Sequence, residues 1–413
     1  MKSSLMIRKS QSKYTYLFDL YCLVALILPI NVINKTSFYT VISPSIITYH
    51  YKDFYNSFLL LPVLIMSFFF LKDTRAIKFY YVIIAIMIKD FFLYKFKTSY
   101  NIIDFDINLY LVLLYSYALT VIVLRNKTNH INFINSYYLV ALLTMLLRFI
   151  LNMSTDGRFG AIGLSVGGTG FLCGLYIVYL LYNHEVNKNI FILLVTSMIF
   201  LMLTGQRTNI FCCFCFVLYF TISFFFKRHD AILSNKFISL VLIFEISLVS
   251  LAVLFMFSNL SNLSSSNYLT RVFAVLQSDD IHSIRNEYSV LGRLNSIDAG
   301  ISILKDSVLG ISNVFYDLQY RMLENGYPTF PHSSLLSCLL LWSFPITIFC
   351  CFWIVNLLFS LYKMKNSLFC VVLYIFIMMI FWNGPFLDYQ LLFIILYFLS
   401  ISKSVCSSDQ LSA

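Results

Sequence analysis

Charge is scarce in this chain. Asp, Glu, Lys and Arg make up 12% of its 413 residues, and only 19 residues are acidic, whereas a soluble domain carries about 25% charged residues. A chain so poor in charge cannot cover a water-facing surface, which excludes a soluble enzyme and a disordered chain. No strictly alternating apolar–polar strands of the kind a membrane barrel requires occur: Ser57–Leu71 and Leu240–Phe257 are apolar on nearly every residue. The expected outer loops contain no Cys, so disulfides cannot staple them. Nine of the ten cysteines fall in apolar runs, Cys406 falls in the tail, and the Cys212-Cys213-x-Cys215 spacing does not suit zinc.

What the sequence has is apolar residue, 60% of the chain. A dozen membrane helices of ~20 residues would use about that many. Continuous apolar runs in lipid must be helical, because no water is present to satisfy the backbone. The expected fold is therefore an all-α polytopic membrane protein with about twelve spans, within a single integral membrane domain. Spans are expected at 16–30, 54–71, 77–94, 107–124, 131–151, 160–182, 190–204, 208–226, 237–257, 333–360, 367–381 and 389–402. The first follows Lys2, Arg8, Lys9 and Lys13 and has no small-residue cleavage site after it, so it reads as an uncleaved span. The chain thus divides into nine spans over 1–257, a long loop over 258–332, and three spans with a tail over 333–413.

Orientation follows from Lys and Arg, which favour short cytoplasmic loops. With the N-terminus inside, the inner segments collect the N-tail cations, Lys72, Arg75, Lys78, Arg125, Lys127, Lys188, Lys227, Arg228, Lys236, Lys363, Lys365 and Lys403. The short outer loops before residue 258 hold only Lys35, Lys52, Lys95, Lys97, Arg158 and Arg207. Both termini are therefore expected in the cytoplasm. The net charge of +10 is topogenic, since the cations are scattered among loops rather than gathered into a nucleic-acid face.

The loop 258–332 is the exception to the short-loop pattern and is expected outside. Leu294, Ile297, Ile301, Leu304 and Val308 recur at helical spacing, and Gly310 is placed to end the helix. Phe315, Tyr316, Tyr320, Tyr327 and Phe330, with Pro328 and Pro331, mark the rest as ordered. Residues 160–174 are rich in glycine; lying inside an apolar span with no preceding strand, they read as a close-packing surface rather than a nucleotide loop.

Candidate chemistry lies at the outer face. Arg148, Arg158 and Arg207, with Arg271, Arg285, Arg293 and Arg321 in the long loop, oppose the topology bias and suit an anionic ligand or a carboxylate partner. Arg207, in the tight turn Thr204-Gly-Gln-Arg-Thr208, carries the sharpest signal. His332 follows Tyr-Pro-Thr-Phe-Pro where the loop re-enters the membrane, the best-placed group for proton handling. His130, His184 and His229 read as solvated residues in short inner loops. Asp104-x-Asp106 resembles a metal-binding pair but has apolar flanks, and Glu245 and Lys89 are ionisable residues inside spans. No zinc cluster and no nucleophile–base pair is apparent, and no metal or cofactor is expected.

Thr204-Gly-Gln-Arg-Thr208, Gly292-Arg-Leu-Asn295, Asp306-Ser-Val-Leu-Gly310 and Phe330-Pro-His-Ser333, with the long loop before the tenth span, resemble the Wzy-type O-antigen polymerases of the polymerase and ligase superfamily. Val308 stands where many members have Pro, and Ser333 where many have Asn. The resemblance implies a bacterial inner-membrane glycosyltransferase that polymerises repeat units carried on undecaprenyl pyrophosphate at the periplasmic face. It implies pyrophosphate and glycan contacts for Arg207 and Arg293, with Arg158 and Arg148 beside them, and a base role for His332. A chain-length regulator is an implied protein partner. An O-antigen ligase and, from a different class, a flippase for the lipid-linked unit are the rival readings.

Overall fold

The computed structural model describes residues 17–24, 26, 60–71, 76–96, 107–125, 130–151, 159–161, 164–183, 188–227, 288–306, 309, 322, 333–382 and 389–410. Among them every regular element is helical. After a helical stretch at 17–24 come α1 (Leu61–Phe70), α2 (Tyr80–Phe96), α3 (Ile107–Arg125), α4 (His130–Ile150), α5 (Val166–Asn183), α6 (Lys188–Thr204) and α7 (Arg207–Lys227). They are followed by α8 (Tyr288–Asp306), α9 (Ser334–Leu341), α10 (Phe344–Lys363), α11 (Leu368–Phe381) and α12 (Tyr389–Gln410). The expected span at 237–257 and the loop residues 258–287 lie outside the described residues.

Two helices organise the bundle. α3 packs against α1, α2 and α12, while α5 packs against α6, α7 and α11. A helix apolar all round belongs in an interior, and residues 391–400 of α12 are buried on every face. The outer helices behave in the opposite way. Along α10, Phe344, Ile348, Phe349, Phe352, Val355, Phe359 and Tyr362 form an exposed stripe, while Ile354, Leu357, Leu358 and Leu361 face inward. Soluble monomers rarely leave such a contiguous apolar stripe uncovered, and lipid chains suit it as surroundings. Among the described residues, three helices are long and apolar enough to cross a bilayer: His130–Ile150, Phe344–Lys363 and Gln390–Ser407.

Two expectations change. The run 333–360 is not one helix, because Pro345 lacks an N–H and its ring clashes with the carbonyl four residues back, that of Leu341. The chain breaks at Trp342–Ser343, where Ser343 takes φ 99 and ψ 155 before α10 begins. The amphipathic helix α8 begins earlier than expected and buries a different face. Ser296, Ala299, Gly300 and Ile303 are buried, Ile297 and Leu304 are half-buried, and Leu294 and Ile301 are exposed. α8 packs on α9, and small residues make up most of its buried face while Leu294 and Ile301 are left exposed. Val308 and Gly310 lie outside the described residues.

The glycine-rich segment does pack helices together. Gly167 meets the Trp382 ring, Gly170 meets the α6–α7 turn, and Gly174 meets Tyr374 of α11. α5 starts only at Val166, and residues 159–161 form no regular element, with Gly160 lying against Val166.

Candidate functional site

The site is built from a turn. α6 ends at Thr204, Gly205 adopts φ 60, and α7 begins at Arg207. Only glycine takes that backbone conformation without cost, so Gly205 sets the tightness of the turn. The Gly205 N–H donates to the Met202 carbonyl at 3.0 Å, and the Gln206 carbonyl accepts from Ile210 N–H at 3.0 Å. Thr204 caps the end of α6 by donating its hydroxyl to the Leu201 carbonyl at 2.6 Å. Arg207 thus opens a 21-residue helix, whose first amides point outward and whose dipole places partial positive charge there.

Several elements converge on this turn. The Phe159 N–H donates to the Leu203 carbonyl at 3.1 Å, and Phe159 packs edge-on against Phe149 of α4 at 5.1 Å. Arg148, half-buried on α4, donates from Nη1 to the Gly160 carbonyl at 3.3 Å. The start of α5 closes in from below, where a Cβ on Gly170 would sit 3.1 Å from Thr204 Oγ1, Gln206 Cβ and Asn209 Nδ2. Asn209 is fully buried; its Oδ1 accepts from Tyr374 Oη at 3.0 Å, and its Nδ2 has no hydrogen-bond acceptor among the described residues.

The same end of the bundle receives α9. The Trp382 ring stacks on Phe171 of α5 at 5.6 Å. The Trp382 carbonyl accepts from Ser334 N–H at 2.9 Å and from the Ser334 hydroxyl. Ser333 caps α9, its Oγ accepting from Leu336 N–H at 3.4 Å. α9 therefore starts beside the α5–α11 contact, near the Arg207 turn. The fold brings Arg148, the Arg207 turn and the residue pair after position 332 to one end of the molecule. Arg293 is exposed on α8, which packs on α9.

His332, Arg158, Glu245, Asp104 and Asp106 lie outside the described residues, as do Arg271, Arg285, Arg321, His50, His184, His229 and His282. His130 departs from its solvated reading. It starts α4, and its Nδ1 lies 2.8 Å from Tyr397 Oη, within hydrogen-bonding distance. Cys406 lies in α12 rather than in a tail beyond it. Among the described residues no group of three or more His, Cys, Asp and Glu is placed to hold a metal ion.

A polar network escaped the sequence reading. Lys89 and Asp90 of α2 are buried and ion-paired at 2.7 Å, and Asp90 accepts from the Tyr110 hydroxyl of α3. Lys89 Nζ also donates to the Leu341 carbonyl at 2.6 Å, the acceptor that Pro345 leaves without its helical donor. The signals were available: adjacent charges inside an apolar run, and a proline twelve residues after the start of the expected span 333–360.

Fold and exposed surface together define a helical membrane protein. No family model and no curated protein matches the chain, so a more particular assignment has to come from residues and geometry.

Proposed function

We propose that this protein is an inner-membrane glycosyltransferase that polymerises undecaprenyl-pyrophosphate-linked O-antigen repeat units at the periplasmic face. The observation that carries this reading is the turn at Gly205–Arg207. There a helix start and an arginine arise from consecutive residues, beside Arg148 and the start of α9. Both the helix end and the guanidinium favour an anion, and pyrophosphate oxygens match the planar fork. Arg158, and Arg293 on α8, would contribute further contacts.

In the reaction, a hydroxyl of the incoming unit attacks the anomeric carbon of the growing chain. The new C–O bond forms as the bond to undecaprenyl pyrophosphate breaks, and the hydroxyl proton passes to His332. Pyrophosphate leaves as a stabilised anion, so arginine electrostatics carries the leaving-group side, while a neutral imidazole suits the base. A ligase would use the same groups with a lipid A core acceptor. The flippase reading loses some of its support, because Lys89 is held by Asp90 and the Leu341 carbonyl within the protein.

The test is polymer formation from purified lipid-linked repeat in liposomes. His332→Gln should insert normally and lose ~10²–10⁴ in rate, the usual loss for a general base, while His282→Ala should keep its ladder. Wild-type protein that makes no polymer would overturn the reading, and full activity in His332→Gln would overturn the base.

A further inference from the structure

Buried charge within an apolar bundle is expensive and is retained where it does a specific task. Lys89 is 9% exposed and Asp90 is fully buried. The ammonium lies 2.7 Å from Asp90 Oδ1 and 2.6 Å from the Leu341 carbonyl. That carbonyl ends α9 and is freed by Pro345; a cation there also suits the negative end of the helix dipole. At its other end α9 is fixed by the Trp382 carbonyl through Ser334. Ser334, Leu336, Ser337, Cys338, Leu340 and Leu341 are all buried. An eight-residue helix is too short to hold a direction by itself, and here it is pinned at both ends.

We propose that Lys89 is a positioning residue: by gripping the carbonyl end of α9 from α2, with Asp90 and Tyr110 holding it in place, it fixes the direction of the short helix that begins two residues after His332. The inference rests on the reading of His332 as the base. Consecutive Cα atoms are about 3.8 Å apart, so a helix that tilts carries the residue before its cap with it. A misplacement of ~1 Å at a reacting group can cost ~10²-fold in rate.

Lys89→Met alone strands Asp90 as an unpaired buried carboxylate and threatens folding, so the informative variant is Lys89→Met with Asp90→Leu. Removing both charges of a buried pair leaves many proteins as stable as before. The full-length variant in liposomes should still fold and insert, with its thermal midpoint lowered by the loss of the donor to the Leu341 carbonyl, and should keep its KM for lipid-linked repeat. Its kcat should fall ~10²-fold, and amides of residues 334–341 should exchange faster than in wild type. Lys89→Arg, which retains charge and donors, should recover most of kcat. An unchanged kcat in the double variant, or unchanged exchange in α9, overturns the positioning role. Wild-type protein that makes no polymer fails the polymerase reading instead, and exchange in α9 then decides the tether by itself: faster upholds it, unchanged overturns it.

Discussion

A single missing methyl group sets how closely α5 meets its partners. At Gly174 a Cβ would overlap Tyr374 Oη, and that ring is fully buried with its hydroxyl committed to Asn209 Oδ1. Gly174→Ala should therefore lower stability by about 1–3 kcal/mol, the usual cost of overpacking a core, read as a drop in thermal midpoint in detergent. Gly168→Ala meets Leu391 Cδ1 and Ser165 Oγ at 3.2 Å, contacts that a small shift relieves, and should cost much less. Adding Tyr374→Phe to Gly174→Ala should recover part of the loss, a coupling expected of residues in direct contact; strict additivity would place the clash elsewhere. Arg207 is a residue-scale matter of a different kind. Lysine retains the charge but not the fork, so Arg207→Lys should forfeit one charge-assisted hydrogen bond, about 1.5–3 kcal/mol. That corresponds to a polymerisation rate roughly ten- to a hundredfold lower. A wild-type rate in Arg207→Lys and in Arg207→Ala would remove pyrophosphate from this turn.

The break between α9 and α10 offers the clearest prediction at the level of an element. Ser343 sits at φ 99, ψ 155, a region that costs a non-glycine residue of order 1–3 kcal/mol. Its side chain returns little, accepting from Ile346 N–H at 3.5 Å, and replacing a capping serine by glycine costs only a few tenths of a kcal/mol. Strain outweighs the cap, so Ser343→Gly should raise the thermal midpoint, whereas Ser343→Ala, which keeps the strain and loses the cap, should lower it. The reverse order would show that the φ value is not limiting. This element also marks what could be read from sequence. Helix identity was legible wherever apolar runs were long, because lipid leaves the backbone no alternative; α3, α4 and α7 begin and end within a residue or two of expectation. The break was missed because hydropathy is blind to Pro345, and the buried face of α8 was missed because it includes Ser296, Ala299 and Gly300, residues that an apolar stripe overlooks. At the site, the turn residues were legible from Gly205 and Arg207. The Lys89 contact was not, since it joins residues 252 positions apart.

At the scale of the whole molecule the open matter is which end faces out, and the two ends differ in chemistry. Arg125, at the close of α3, pairs with Asp19 at 3.5 Å and lies over the rings of Phe18 and Phe70, at 4.8 and 5.1 Å. It thereby gathers the start of the helical stretch 17–24, the close of α1 and the close of α3 at one end, where the N-tail, Lys72, Arg75, Lys78 and Lys127 are also expected. The positive-inside rule predicts that this end is the cytoplasmic one. α4 starts five residues later and rises about 1.5 Å per residue, so its Arg148 and the Arg207 turn mark the opposite end. Ser334 joins that opposite end through Trp382, whereas α7, starting at the turn, runs back toward the Arg125 end and closes at Lys227. Between Lys227 and Ser334 the chain must therefore cross an odd number of times. The apolar run 237–257, outside the described residues, is expected to make that crossing, and the loop 258–332 is then predicted to be periplasmic. A phosphatase fused after Ser265 should be active and a cytoplasm-only fluorescent reporter there dark, while fusions after Thr128 should give the reverse pair. An inactive phosphatase at Ser265 with an active one at Thr128 would invert the molecule and move the arginine turn to the cytoplasm, where lipid-linked units are assembled rather than polymerised. The same signal at both positions would mean that 237–257 fails to cross, and α9 could not then start where Trp382 holds it.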